Sequence, residues 1–416
     1  MQGNMTRNSP ARWAARVRRG GVGGARRRGP IGTKLAFGTG LALLVAVPAA
    51  VLVSCGGPDE AEALLDDAVA TYAEGVHASY GAALAAAQDM DRSIDAFLAS
   101  PNEVSLKNAR DAWLSARSVY GPTEVFRFYG GPIDDEETGP EGLINAWPLD
   151  EGYIDYVEGA PDSGIINDPS ISIDKATLVS MNEEGGEANV STGWHAIEFL
   201  LWGQDDRADG AGRRPVSDYT TEAQAQRRGQ YLAVTSDLLL DHLQELVDAW
   251  APGRSNYRAG FEDLEPTEAM RLILTGIGEM SRGELAGERM SVAYLERSEE
   301  DEHSCFSDNT HNDIIANAVG VQMVLEGNYP GFSGVGVLDA VAAVDADLAE
   351  RLRTEVTASV AATRAIPAPF DQHVQDGVAD SAPGRSSVLA AIEALELQTD
   401  TIVDAATALG VSINVS

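Results

Sequence analysis

The chain has 416 residues, with 30 Lys and Arg against 64 Asp and Glu and a formal charge of −34. So acidic a surface repels nucleic acid and attracts cations, which excludes nucleic-acid partners. Two cysteines, Cys55 and Cys305, exclude a disulfide framework, so stability must come from a core, and the length favours two domains.

The N-terminal segment is unlike the rest. Residues 1 to 34 hold nine Arg and Lys and no acid, and Leu35 to Val53 is almost wholly apolar before Ser54, Cys55, Gly56 and Gly57. A basic stretch, an apolar run and a small-residue cleavage site together predict an export signal over 1–54. Its end resembles a bacterial lipobox, in which the cysteine after the cut carries lipid, so Cys55 is the expected lipidation site. The run is about 19 residues and could span a bilayer; Pro48 and the Cys-Gly-Gly ending favour cleavage over a permanent anchor. Loss of this segment removes nine positive charges and leaves the mature chain near −43. The expected location is the bacterial cell envelope, on a membrane through the lipid anchor, facing the periplasm or the exterior.

Beyond the signal the pattern is helical. Leu65, Val69, Tyr72, Val76 and Tyr80 recur at steps of three and four. So do Leu239, His242, Leu246 and Trp250; Leu338, Val341, Leu348 and Leu352; and Val388, Ile392, Leu395, Thr399 and Ile402. Each series draws one apolar stripe along a 3.6-residue helix. Alternating strand patterns are scarce, and SISIDKATLV (170–179) is the only tempting one. The expected fold is all-α, with one bundle over 55–255 and a second over 262–416. Pro252, Gly253 and Gly260 mark the joint. Gly130 to Val190, rich in Gly, Pro, Asp and Asn, fits no bundle. A loop of that length is functional or disordered, and Trp147, Tyr153 and Tyr156 argue against disorder. It is expected to pack near the junction, beside the stretch into which it runs.

That stretch, STGWHAIEFLLWGQD (191–205), sets a histidine and a glutamate three residues apart among aromatic and aliphatic neighbours. On a helix His195 and Glu198 share one face, and Trp194 and Trp202 are expected to wall a pocket around them. A carboxylate among such neighbours loses hydration, which costs several kcal/mol unless a cation or donors replace the water. Two readings follow: a buried His–Glu hydrogen bond, or a pair of metal ligands. Imidazole plus carboxylate suits iron(II), zinc or copper(II), but two ligands are too few. Zinc-peptidase chemistry needs a second histidine, as in H-E-x-x-H or H-x-x-E-H, and Phe199 stands where the latter would place it. Serine-hydrolase chemistry lacks its G-x-S-x-G.

Gly193 to Glu198, GWHAIE, resembles the G-x-H-x-x-E signature of the imelysin-like family. ARDAWLSARSVYGPTEVFRF (109–128) is similar to that family's W-x-x-A-R-x-x-Y-x-x-T-E-x-F-R-F segment. EEDEHSCFSDNTHNDIIANAVGVQMVLEGNY (299–329) resembles its iron-regulated protein A branch. The resemblance implies an exported helical protein of two bundle-like halves. The family is named for an insulin-cleaving activity and classed among metallopeptidases, and related domains occur in periplasmic ferrous-iron uptake proteins. It therefore implies metal at His195 and Glu198 more strongly than proteolysis. The matched glutamate, Glu124, is the expected third ligand, with a salt bridge to Arg117 or Arg127 as the alternative. Asp150 and Glu151 are further acids that the long segment could supply.

The third stretch also gathers His303, Cys305, Asp308, His311 and Asp313. Ser307, Asp308 and Asn309 are good N-cap types, so a helix start explains part of the cluster. A second metal site using His303, Asp308 and His311 is the other reading. Two functions remain: metal capture or uptake in the envelope, with iron the first metal, zinc or copper the alternatives, and an envelope iron-uptake protein as a partner; or an envelope metallopeptidase. Replacing Cys55 with Ala is expected to release the protein or leave its precursor uncut, read by membrane fractionation and mass. A mutant of mature size that still pellets with membranes would refute the lipobox.

Overall fold

The computed structural model describes residues 58–205, 207, 210–298 and 301–415. The export signal and Cys55 lie outside the described residues. Among them, no helix is long and apolar enough to cross a membrane.

The fold is predominantly α-helical, as periodicity predicts. Its spine is α1, Pro58–Ala99, about 63 Å long at 1.5 Å per residue. The predicted stripe on α1 continues past Tyr80 through Ala83, Ala87, Met90, Ile94 and Phe97, all buried. Helix α2, Glu103–Tyr120, returns along it, started by a capping box in which Asn102 accepts from the Ser105 amide and the Ser105 hydroxyl accepts from the Asn102 amide. A 3-10 turn, Gly121–Phe126, follows at Pro122, which cannot continue the α ladder. Helix α3, Gly193–Trp202, and α4, Ala225–Ala249, complete the first half of the chain. In the second half, α5, Pro266–Glu279, runs directly into a π-helical segment, Met280–Ser291, whose hydrogen bonds step five residues instead of four. Helices α6, Thr310–Glu326, α7, Val337–Val344, α8, Ala346–Arg364, and α9, Pro383–Ala408, follow.

Details depart from the periodic reading in three places. Leu338 to Leu352 belongs to two helices: the chain breaks at extended Asp345, whose carboxylate then caps α8 by accepting from the Leu348 amide. SISIDKATLV forms no strand; Asp174 caps a short helix, Lys175–Met181, which takes up its second half. The described strands are two-residue pieces, β1, Asn328–Tyr329, and β2, Phe332–Ser333, paired antiparallel around Pro330 and Gly331. Gly260 is no breaker but lies inside a one-turn helix, Tyr257–Glu262, which Asn256 caps.

A single core runs from Ala68 to Leu409 through helices of both halves. Helix α1 touches α2, α4 and α7, and α6 packs against the 3-10 turn. That contact brings backbones together: a Cβ on Gly320 would lie 2.4 Å from the Pro122 carbonyl oxygen, and one on Gly121 would lie 2.6 Å from the Ala316 Cβ.

Gly130 to Val190 is ordered and packs near α3. An irregular backbone must find partners for its carbonyls, and arginines supply them. Arg227 donates to the carbonyls of Ile165, Ile166, Asp168 and Ile171 at 2.7–3.0 Å. Buried Asp155 is gripped by Arg214 at 2.7 Å and Arg228 at 2.6 Å. Gly320→Ala should force α6 off the turn and lower stability by about 1–3 kcal/mol, measured as a lower urea midpoint with unchanged helical circular dichroism. An unshifted midpoint would mean that the contact can open at no cost.

Candidate metal site

Helix α3 is buried over its whole length, so each polar group on it needs a partner. Its first residue shows why the motif begins with glycine. Gly193 has φ +87°, and a Cβ there would sit 2.4 Å from the Ile144 carbonyl oxygen. Only glycine combines that left-handed backbone with so close an approach. At the other end, Arg110 donates twice to the Leu201 carbonyl, at 2.9 and 2.8 Å.

His195 and Glu198 do share one face, and they are bonded to each other: His195 Nδ1 lies 2.9 Å from Glu198 Oε2. The other carboxylate oxygen, Oε1, accepts from the Ser307 amide at 2.9 Å and its hydroxyl at 2.6 Å. Both oxygens of Glu198 are therefore committed. His195 Nε2 is buried with no hydrogen-bond partner. Burial pushes the Glu198 carboxyl up to about 8, against the Ser307 donors that pull it down. Burial, followed by the nearby His303 and Arg117, holds His195 well below its ordinary value, so the ring is neutral at pH 7.

His303 is the residue of the third motif that joins this pair. Its ring stands edge-on to His195 with centroids 4.5 Å apart. Its Nδ1 lies 3.1 Å from Asp313 Oδ2 and 3.2 Å from Arg117 Nη2. A guanidinium only donates and a carboxylate only accepts, so Nδ1 can satisfy one of them at a time. Trp147, from the long segment, covers both imidazoles, its ring 4.9 Å from His195 and 6.3 Å from His303. This corrects the expected walls. Trp194 and Trp202 pack instead against Trp113, at 6.2 and 5.5 Å.

The other expected site residues are placed differently. Glu124 is fully buried among guanidinium groups: Arg289 donates to its Oε2, Arg117 lies 3.5 Å from Oε1, and Arg127 lies 3.9 Å from Oε2. Burial opposes its charge, but Arg289 and Arg117 overcome this and hold it down at about 2. The salt-bridge alternative for Glu124 is thus what the side chains form. Asp308 turns instead to the Ala211 backbone and the Asp205 side chain, to both of which it bonds. His311 is half-buried on the first turn of α6, its Nδ1 without a partner. Cys305 is buried in the core. Asp150 caps a one-turn helix by accepting from the Gly152 amide, and burial raises Glu151. Ser307 does not cap α6, whose N-cap position is Asn309; Asp308 between them is left-handed, at φ +55°. Among the described residues, no three His, Cys, Asp or Glu side chains stand together as a ready metal-holding group.

Sequence reasoning missed the ion network beneath the histidines. Arg117 also binds Asp313 at 3.2 Å and Asn145; Arg289 also binds Glu284 at 2.8 Å and Asn317 at 2.5 Å; Arg127 binds Glu141 at 3.1 Å. Glu284 and Arg289 are five residues apart. That spacing faces apart on an α-helix but together on the π-helical segment, so no α-period signal could pair them. Replacing Arg289 with Met would leave Glu124 and Glu284 short of a buried partner, a loss of about 3–5 kcal/mol. Glu124 itself stabilises the fold fully above its unfolded value of 4.5, and that contribution is lost as pH falls towards about 2. Denaturant unfolding of the wild type and variant at pH 7 and pH 3 should show a smaller gap at pH 3; a constant gap would place the stabilisation elsewhere.

The family model for imelysin, the M75 peptidases, matches residues 76–402. Iron-regulated protein A of Synechococcus elongatus is 26% identical over 335 residues, covering 78% of this chain and 80% of that protein. The fold is similar to the crystal structure of a protein named as an iron-regulated protein A precursor from Parabacteroides distasonis. That likeness has a TM-score of 0.67 at 19% identity, over 84% of this chain and 95% of the other. With its G-x-H-x-x-E motif built into the buried helix at the centre of the site, and the family match running over most of its length, this chain belongs to the imelysin family.

Proposed function

We propose that this protein captures a divalent metal ion as cargo, with His195 Nε2 as the primary ligand and iron as the metal. The carrying observation is the asymmetry of the His195 ring: Nδ1 is held by Glu198, while Nε2 is buried and unpaired. A metal-bound histidine is normally oriented in this way, by a carboxylate on its second nitrogen. His303, 4.5 Å away ring to ring, supplies a second nitrogen when its Nδ1–H points to Asp313. Two neutral imidazoles favour iron(II), zinc or copper(II) over magnesium or calcium. The iron-regulated name of the relative supports iron. Water or a small carboxylate would complete the coordination shell.

Export and a lipid anchor at Cys55 belong to the same proposal, since capture of a metal outside the cytoplasm suits an acidic protein on the envelope surface, from which an uptake partner could collect it. The peptidase reading has less support from the side chains. A metallopeptidase needs a base free to take a proton from water, and both oxygens of Glu198 are occupied by His195 and Ser307.

Anaerobic titration calorimetry with iron(II) tests this. His195→Ala should abolish measurable binding, and His303→Ala should weaken it about tenfold or more. Because Glu198 holds its proton up to about 8, metal at His195 must displace one proton below that pH. Affinity should therefore rise with pH, about tenfold per unit between pH 6 and 8, and level off above. Equal binding by wild type and His195→Ala would sink the proposal, and cleavage of an unstructured polypeptide that stops on chelation would favour the peptidase.

A further inference from the structure

We propose that Ser307 is a positioning residue: it fixes the Glu198 carboxylate, so that Glu198 in turn holds the His195 ring with Nε2 open to a ligand. This rests on the reading of His195 as a ligand.

Ser307 is 109 residues from Glu198 in sequence and belongs to another element. It reaches the motif from the turn that precedes α6, and that turn is pinned along its length. The Ser304 amide donates to the Thr310 hydroxyl at 2.9 Å, the Asn309 amide to the Ser304 carbonyl at 3.1 Å, and the Gly212 amide to the Phe306 carbonyl at 2.9 Å. The left-handed backbone of Asp308 turns the chain directly after Ser307. Two donors from one residue, amide and hydroxyl, then converge on a single oxygen, Glu198 Oε1. This leaves the carboxylate one free direction, the one that meets His195 Nδ1 at 2.9 Å. Among the described residues, no other hydrogen bond holds Glu198 in this orientation. Without it the carboxylate could swing towards the cargo site itself or release the imidazole, and either change removes the fixed ring. Serine suits the task because its hydroxyl is short enough to share the target of its own amide.

The amide survives any substitution, so the hydroxyl alone can be tested. In the mature full-length chain labelled with 15N-histidine, metal-free, the ring nitrogen shifts of His195 should move in Ser307→Ala and return to the wild-type position in Ser307→Thr, which keeps the hydroxyl. Iron(II) affinity should fall about tenfold in Ser307→Ala, the lower end of what loss of an outer partner of a metal-bound histidine costs, and recover in Ser307→Thr. Unmoved His195 shifts in Ser307→Ala overturn the proposal whatever the metal does. Moved shifts with wild-type iron(II) affinity overturn it as well, because the positioning would then have no effect on ligation. If the wild-type chain binds no iron(II) while its His195 shifts respond to Ser307→Ala and recover with Ser307→Thr, the metal reading fails and the positioning of His195 by Ser307 stands.

Discussion

Glu124 is the point on which the rest of the structure depends. A carboxylate taken wholly out of water costs several kcal/mol unless its partners are complete. Here the charge is met by Arg117 from α2, Arg127 from beyond the 3-10 turn, Arg289 from the π-helical segment and Asn145 from the long segment. None of these elements can dock alone without leaving a buried charge unpaired. The network thereby ties the two halves of the chain and the long segment into one cooperative arrangement. Asp313 extends it to the start of α6, and so to His303.

The site inherits its electrostatics from that network. Burial, aided by the guanidinium groups beside the histidines, keeps both rings neutral, which is the form that binds metal. The same apolar surroundings keep Glu198 protonated to unusually high pH, with Ser307 moderating the effect. Within the H-x-x-E pair, Glu198 holds the His195 ring and has both of its own oxygens taken.

Much of the fold was legible in the sequence because apolar residues recur with the helical period, and the stripes on α1 from Val69 onward, α4 and α9 are buried where the spacing puts them. The packing of Trp147 against the motif followed from the improbability of leaving aromatic rings in solvent. His303 could be suspected from its neighbours, but nothing in the spacing distinguished it from His311, because their separation depends on the left-handed turn at Asp308. Glu124 could not be assigned between ligand and ion pair, since that choice depends on Arg289, 165 residues away. Ser307 looked like a helix cap because local signals cannot reveal an acceptor on a distant helix.

The π-helical segment has a consequence for comparing chains of this kind. A π turn is what an α-helix becomes when it absorbs an extra residue without breaking. Removing one residue between Met280 and Glu284 would leave Glu284 and Arg289 in their own register but rotate Met280 and everything before it by about 100° relative to them; removing one between Glu284 and Arg289 would separate the pair outright. A relative whose alignment needs a one-residue gap between those two positions should therefore lack the partner that Glu124 requires, and should carry an uncharged residue there instead. Gap placement within this dozen residues, more than overall identity, should sort the chains that share this buried architecture from those that only share its outline.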